Sequence, residues 1–441
     1  MEKARNWILS SIILGIIIYL FSPGFPHLIT DPDGWDLQAQ FMYLTGICTM
    51  VLMILSMLIS LRIPQINSIF EGLDKAYDVH KWTGIFTTVF VVIHWLGDKI
   101  PFILVKLNIV PDALIDIKLF TKVEIILYKS GTLLAELLFY IFIFLIVVSL
   151  SNKISYKFFR KTHKFIPGVF LVYAYHGATA PLKDHWYQNP SIIILLILIS
   201  FGSIIAFIAV FQQIGKTRKV KMVIKSIELH ETSILDIHLE TLNNPFNHQA
   251  GQYAFLQFEH NKEPHPFTIS SSGDNPNLLR FSIKELGDFT QELKSKISIG
   301  QQVQVEGPYG EFKFEDKCER QIWIAGGIGI TPFMAQLDYL SNNGGAKKPI
   351  DFWYCTKGAL EQQFPVSLQE LCSKAGVNIY HLNANNGEFF TTDILISKFG
   401  SLEKFSIWYC GPFPLKSVID KGLKSLDFNI HNFHYDSFSM R

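Results

Sequence analysis

Four histidines have a spacing suited to chemistry. His80 and His94 stand 14 positions apart, and His163 and His176 stand 13 apart. Both pairs bracket long apolar runs, where an ionisable side chain is costly and is usually kept for function. Neutral imidazole is a good axial ligand for haem iron. At about 1.5 Å of rise per residue, each pair marks two levels roughly 20 Å apart along a helix. If the two helices run in the same direction, His80 meets His163 at one level and His94 meets His176 at the other. That arrangement makes two stacked bis-histidine sites for haem b. At about 100° per residue, 14 positions return His94 to nearly the face of His80, whereas 13 leave His176 about 140° away from His163. Pro167-Gly168 lies between the second pair and offers a cause for a distorted turn. Two plainer readings stand beside ligation: histidines that cap helix ends at an interface, and a histidine-lined channel without haem. Two matched spacings favour ligation.

The elements that must position these residues are membrane spans. Of the 441 residues 49% are hydrophobic and 17% charged, with a mean hydropathy of +0.24. The apolar runs end near Gln212, and from Lys216 onward the chain reads as an ordinary soluble protein. Crossing a bilayer takes roughly 20 mainly apolar residues. Six stretches qualify, at about 7–25, 38–61, 82–105, 131–150, 165–181 and 191–212. The first follows Lys3 and Arg5 without a small-residue cleavage site, as in an uncleaved signal anchor. With the N-terminus inside, the cytoplasmic segments carry 14 Lys and Arg and the outer ones 6. That bias predicts both termini and the soluble half in the cytoplasm, with the plasma membrane as the host. A net charge of +1 gives no support for a nucleic-acid partner. Cys48, Cys318, Cys355, Cys372 and Cys410 form no metal-binding or disulfide framework and read as free thiols in a reducing compartment.

In the soluble half, short alternating segments such as Gly251-Gln-Tyr-Ala-Phe-Leu-Gln-Phe258 predict a small antiparallel barrel. From Gln321, strands at about 321–325, 350–355, 377–381, 405–409 and 431–435 alternate with helical segments, the pattern of a doubly wound parallel sheet. The strand Ile322-Trp-Ile-Ala325 enters a turn with Gly326, Gly327 and Gly329, and a helix opens at Thr331-Pro332. Glycines there let backbone N–H groups approach a phosphate at a helix N-terminus. Around this turn stand His265-Pro-Phe-Thr-Ile-Ser270, Ser282-Ile-Lys-Glu-Leu-Gly-Asp-Phe-Thr290, Glu306-Gly-Pro-Tyr-Gly310 and Cys410-Gly-Pro412.

In this set and order the motifs resemble the ferredoxin–NADP reductase superfamily, and with the two histidine spacings they resemble its NADPH oxidase and ferric reductase group. The resemblance covers nearly the whole chain. It implies a six-span α-helical membrane domain (1–217) with two haems, an FAD-binding antiparallel β-barrel (218–315) and an NAD(P)H-binding α/β domain with a parallel sheet (316–441). It further implies that His265, Pro266, Phe267, Thr268 and Ser270 line FAD, and that Lys284 and Thr290 sit at its pyrophosphate. Gly326, Gly327, Gly329 and Thr331 would cradle the NAD(P)H pyrophosphate. Cys410, Gly411 and Pro412 would approach the nicotinamide, and Phe438 would cover the flavin ring. Lys357 follows the strand whose end would approach the adenosine ribose, where it would meet a 2′-phosphate or solvent.

The sequence also departs from the group. It has neither a ferredoxin-like cysteine set nor a calcium-binding loop, and its second span lacks the arginine that animal oxidases place near their oxygen site. Asp98 follows His94 by one turn, where those oxidases have another histidine. The expected flow runs from NAD(P)H through FAD and two haems to an external acceptor, O2 giving superoxide or a ferric chelate. No obligatory protein partner is evident, although a haem-bearing subunit feeding a protein partner is a further reading.

Overall fold

The computed structural model describes residues 2–22, 25, 34–111, 121–151, 153–184, 186–190, 192–211, 214–230, 234–259, 261–357 and 367–436. The chain divides into two units, one of residues 1–67 with 75–214 and one of 68–74 with 215–441.

The first unit is helical: α1 (Glu2–Leu20), α2 (Gly34–Ser60), α3 (Pro64–Ile69), α4 (Leu73–Lys106), α5 (Lys122–Leu150), α6 (Tyr156–His163), α7 (Ile166–Thr179) and α8 (Ile192–Val210). Of these, α2, α4, α5 and α8 are long and apolar enough to cross a membrane. The sequence predicts six spans; among the described residues four helices have that length and apolarity, α1 is shorter, and the fifth stretch holds the 14-residue α7. Phe142, Leu145 and Val148 of α5 are buried, whereas its Leu133, Leu137, Phe144 and Val147 are exposed. So large an apolar outer surface suits lipid, not water. Inside, a Cβ on Gly202 of α8 would meet Phe170 at 2.5 Å and Ile54 at 2.7 Å, so glycine lets α8 lie close to α7 and α2.

Pro167 does more than distort a turn. Its ring clashes with the carbonyl four residues earlier, which belongs to His163, and its missing N–H leaves that carbonyl without a helical partner. The helix ends there: α6 stops at His163, Lys164 and Phe165 intervene, and α7 begins at Ile166 with Pro167 in its first turn. His163 therefore lies on a separate short helix, capped at its start by Ser155, and not at the foot of a continuous fifth span.

The second unit begins with β1 (Lys219–His230), β2 (Ile234–Thr241), β3 (Tyr253–Phe258), β4 (Asn261–Thr268), β5 (Leu278–Lys284) and β6 (Gln302–Tyr309), with α9 (Asp288–Lys296) before β6. These strands form an antiparallel sheet in the order β4-β3-β6-β1-β2-β5 around Ile237, Leu239, Leu256, Phe281 and Val305. There follow β7 (Arg320–Gly326), α10 (Thr331–Asn342), β8 (Ile350–Thr356), α11 (Ser367–Ala375), β9 (Val377–Asn383), α12 (Thr392–Phe399), β10 (Phe405–Cys410), α13 (Phe413–Ser425) and β11 (Phe433–Asp436). They build a parallel sheet in the order β11-β10-β7-β8-β9. The strand order reverses between β7 and β10, which is where open α/β sheets bind ligands. The last strand starts at 433 and not 431, because Ile430–Asn432 forms a 3-10 turn.

Candidate functional site

The rings of His80 (α4) and His163 (α6) lie 5.9 Å apart between centroids and 71° from coplanar. Those of His94 (α4) and His176 (α7) lie 6.3 Å apart and 81° from coplanar. Three of the four imidazoles have a hydrogen-bond partner at Nδ1. His80 Nδ1 lies 2.8 Å from the Ser56 carbonyl, which can only accept, so Nδ1 carries the hydrogen. Thr45 Oγ1 donates to the Phe41 carbonyl at 2.8 Å and so accepts from His94 Nδ1 at 2.9 Å. Ser149 Oγ donates to the Leu145 carbonyl at 2.7 Å and so accepts from His163 Nδ1 at 3.1 Å. Each bond leaves Nε2 as a lone-pair donor. Among the described residues His176 Nδ1, though buried, has no partner.

These residues fit haem. Two metal–imidazole bonds take up about 4 Å, and the rest of the 5.9 and 6.3 Å separations is accounted for by the two rings. Hydrogen-bonded Nδ1–H groups are the usual means of orienting a ligating histidine. Beside the His94–His176 pair opens a cavity of about 220 Å³, lined by Met42, Gly46, Trp95, Tyr173 and Trp186 among others. A Cβ on Gly46 would meet His94 Cε1 at 3.3 Å, so glycine there leaves the ring its space. The rim carries Asp98 and Glu136 on either side of Lys99, at 3.3 and 2.7 Å. Sequence reasoning missed Thr45, Ser56 and Ser149. Their only local signal is a hydroxyl inside an apolar helix.

At the reversal of the parallel sheet, the glycine turn after β7 meets the end of β10. A Cβ on Gly326 would strike Pro412 Cδ at 2.5 Å, and one on Gly329 the Cys410 carbonyl at 2.3 Å. Gly327 differs: its φ is +54°, a backbone conformation that favours glycine, and nothing lies within 4 Å of a Cβ there. Gly326, Gly329, Cys410, Gly411 and Pro412 are thus brought together, with α10 opening beside them. Thr331 is buried, and its hydroxyl donates to the Ile328 carbonyl at 3.1 Å. Lys357 is exposed just past β8. Phe438 lies outside the described residues.

On the barrel, β4 carries His265, Pro266, Phe267 and Thr268, paired with Leu256, Phe255, Ala254 and Tyr253 of β3. The His265 ring stacks on Phe289 of α9 at 3.6 Å and 5°. Lys284 ends β5, and Thr290 opens α9 with its hydroxyl accepting from Gly287 N–H at 3.0 Å. Ser270 is buried: its hydroxyl accepts from Ser282 at 3.2 Å, and its carbonyl accepts from Arg280 at 2.7 Å.

Fold and sites together define a membrane oxidoreductase with a flavin-type barrel and a pyridine-nucleotide-type sheet. Residues 45–174 match the ferric reductase like transmembrane component, and residues 219–313 match an FAD-binding domain. The chain therefore joins a ferric-reductase-like membrane component to an FAD-binding dehydrogenase, the combination of ferric reductases and NADPH oxidases. It is 26% identical over 320 residues to a superoxide-generating NADPH oxidase heavy chain of Dictyostelium discoideum, covering 63% of this chain and 44% of that one. Over 224 residues it is 26% identical to respiratory burst oxidase homolog protein E of Arabidopsis thaliana, covering 44% of this chain and 23% of that one. The reductase component of propane 2-monooxygenase from Mycolicibacterium smegmatis is 25% identical over 242 residues, covering 50% and 68%. Among solved structures, phthalate dioxygenase reductase matches with a TM-score of 0.43 and 21% identity, over 51% of this chain and 69% of that one. The chain spans less than half the length of the two oxidases.

Proposed function

We propose that this protein carries electrons across the plasma membrane from cytoplasmic NAD(P)H, through FAD and two bis-histidine haems, to external O2, giving superoxide. The observation that carries the reading is the pair of imidazole couples, set 14 positions apart on α4, in a chain that also holds FAD-type and nucleotide-type folds. The bias of 14 to 6 in Lys and Arg supports a cytoplasmic dehydrogenase and six crossings, with residues 1–217, 218–315 and 316–441 as the haem, FAD and NAD(P)H domains.

When bound, FAD takes the hydride's two electrons and releases them singly, and haem carries one at a time. The protein's part is to hold these groups and set their order. His80 with His163, and His94 with His176, would hold the iron of the two haems. Gly326, Gly327, Gly329 and the opening turn of α10 with Thr331 hold the nucleotide pyrophosphate. Cys410, Gly411 and Pro412 set the nicotinamide's depth, and Lys357 lies where the adenosine ribose would end. His265, Pro266, Phe267, Thr268 and Ser270 would line the flavin, and Lys284 and Thr290 would stand at its pyrophosphate. Because a histidine would stand on each side of either haem, these residues would leave no protein-free iron position and an acceptor would be reached at the haem's edge.

Superoxide is favoured by the relative named as superoxide-generating. A ferric chelate is the second reading, favoured by the carboxylates of Asp98 and Glu136 at the rim of the His94–His176 cavity. The test is purified protein in nanodiscs, given NADH or NADPH with O2 or ferric citrate. The expected result is a Soret band and dye reduction that superoxide dismutase abolishes. Loss of dye reduction in favour of ferric citrate would give the second reading, and no Soret band would overturn both.

A further inference from the structure

Helix α2 serves both histidines of α4 in the same way. At the cytoplasmic level Ser56 offers His80 Nδ1 its carbonyl at 2.8 Å and its hydroxyl at 3.0 Å. At the outer level Thr45 offers His94 its hydroxyl at 2.9 Å, with the Met42 carbonyl alongside. The other two ligands are not treated alike. His163 has the Ser149 hydroxyl of α5 at 3.1 Å, held as an acceptor because its own hydrogen goes to Leu145. His176 has no such group among the described residues. Fourteen positions before Ser149, at the other level, α5 carries Ala135, which lines the outer cavity and has no hydroxyl.

We propose that Thr45, Ser56 and Ser149 are positioning residues for three of the four haem ligands, and that the missing fourth acceptor makes the inner centre, His80–His163, harder to reduce than the outer one, His94–His176. The inference rests on the haem reading above. An imidazole that donates from Nδ1 to an acceptor becomes more basic at Nε2 and stabilises the oxidised metal, and such bonds are a recognised lever on haem potential. The Thr45 and Ser149 hydroxyls are good acceptors because both already donate to a helix carbonyl, and chained hydrogen bonds polarise one another, while His80 has the Ser56 carbonyl itself. With haem bound at both levels, this order would make transfer of an electron from the inner to the outer centre downhill.

Charges near both centres oppose this order, among them Glu136 at the outer rim, also paired with Lys99, and Lys81 and Lys164 beside the inner ligands. Asp98, at the outer rim, favours the oxidised outer iron, and Arg160, three residues before His163, favours the reduced inner iron. The Asp98 side chain is about half exposed and paired with Lys99, so solvent and its partner screen it. Arg160 lies in the last turn of the short α6, which buries none of its residues. The hydrogen bonds, by contrast, act directly on the ligands.

The experiment is spectroelectrochemical titration of the intact protein in nanodiscs, for wild type, Ser149→Ala, Thr45→Val, Thr45→Ser and Asp98→Asn. Two reduction waves are expected in the wild type. Ser149→Ala should raise the lower wave alone and narrow the gap. Thr45→Val should raise the upper wave alone, by less because Met42 remains, and Thr45→Ser should restore it. Asp98→Asn should raise only the upper wave and so widen the gap. Loss of one haem from Thr45→Val, regained in Thr45→Ser with FAD content constant, also supports positioning. Unmoved waves with full haem in both Ser149→Ala and Thr45→Val, or an upper wave that moves in Ser149→Ala, would overturn the proposal. A wild type without haem would overturn the reading beneath it instead.

Discussion

Cys410 is fully buried at the end of β10, and burial, with Asp436 adding repulsion, pushes its thiol well above the ordinary value. It is therefore a neutral thiol through the neutral range, so its proposed part at the nicotinamide would be one of shape, beside the glycine turn. Cys410→Ala should slow hydride transfer to FAD more than it weakens NAD(P)H binding, because misplacement costs rate before affinity. Stopped-flow bleaching of the flavin at the wild-type rate would argue against that role. Asp316 is a different kind of buried group. Burial alone would raise its carboxyl, but Lys348, Ser406, Gln321 and the Cys318 N–H together hold it below the usual carboxylate range. Its folded pKa is thus depressed, so its contribution is present above about pH 4 and is lost as pH falls through the lowered value. Asp316→Asn should cost about 2 kcal/mol at pH 7 and flatten the loss of stability at acid pH, as read by heat-induced release of FAD fluorescence.

Among elements, the sequence was most legible where one force dominates. The apolar runs predict α2, α4, α5 and α8, although α4 and α5 each begin nine residues earlier than the runs at 82–105 and 131–150, and the strand–helix alternation gives the five parallel strands. It was least legible where a cause acts at a distance along the chain. Pro167 ends a helix four residues upstream, at His163, so the mismatch of about 140° on an ideal helix never arises: α6 and α7 are aimed independently. Thr45, Ser56 and Ser149 were illegible for another reason. A hydroxyl in an apolar helix can satisfy itself on its own i−4 carbonyl, as Thr45 and Ser149 both do, and nothing local shows that it also meets a ring from another helix. Because His80 and His163 come from separate helices, each should be indispensable to the same haem. His80→Ala and His163→Ala should each lose about half the haem, by pyridine haemochrome, while NAD(P)H still bleaches FAD. Full haem in both variants would leave these histidines as interfacial caps.

For the whole molecule, the decisive consequence of the proposed function is that electrons would enter and leave on opposite sides of the bilayer. Each transit moves one charge through the membrane potential, worth roughly 2.3 kcal/mol per 100 mV, and both histidine levels lie along the one helix that spans the distance. Turnover must then build a potential, negative on the acceptor side, that slows its own next transit. In proteoliposomes with potassium on both sides and the dehydrogenase facing the bath, NAD(P)H and a lumenal acceptor should draw in a cationic potential-sensing dye. Valinomycin should abolish that signal and accelerate acceptor reduction several-fold. A chain that passed electrons from flavin to an acceptor on the same side would give neither effect, however active it was. A silent dye together with a rate indifferent to valinomycin would therefore remove the transmembrane step while leaving the flavin chemistry standing.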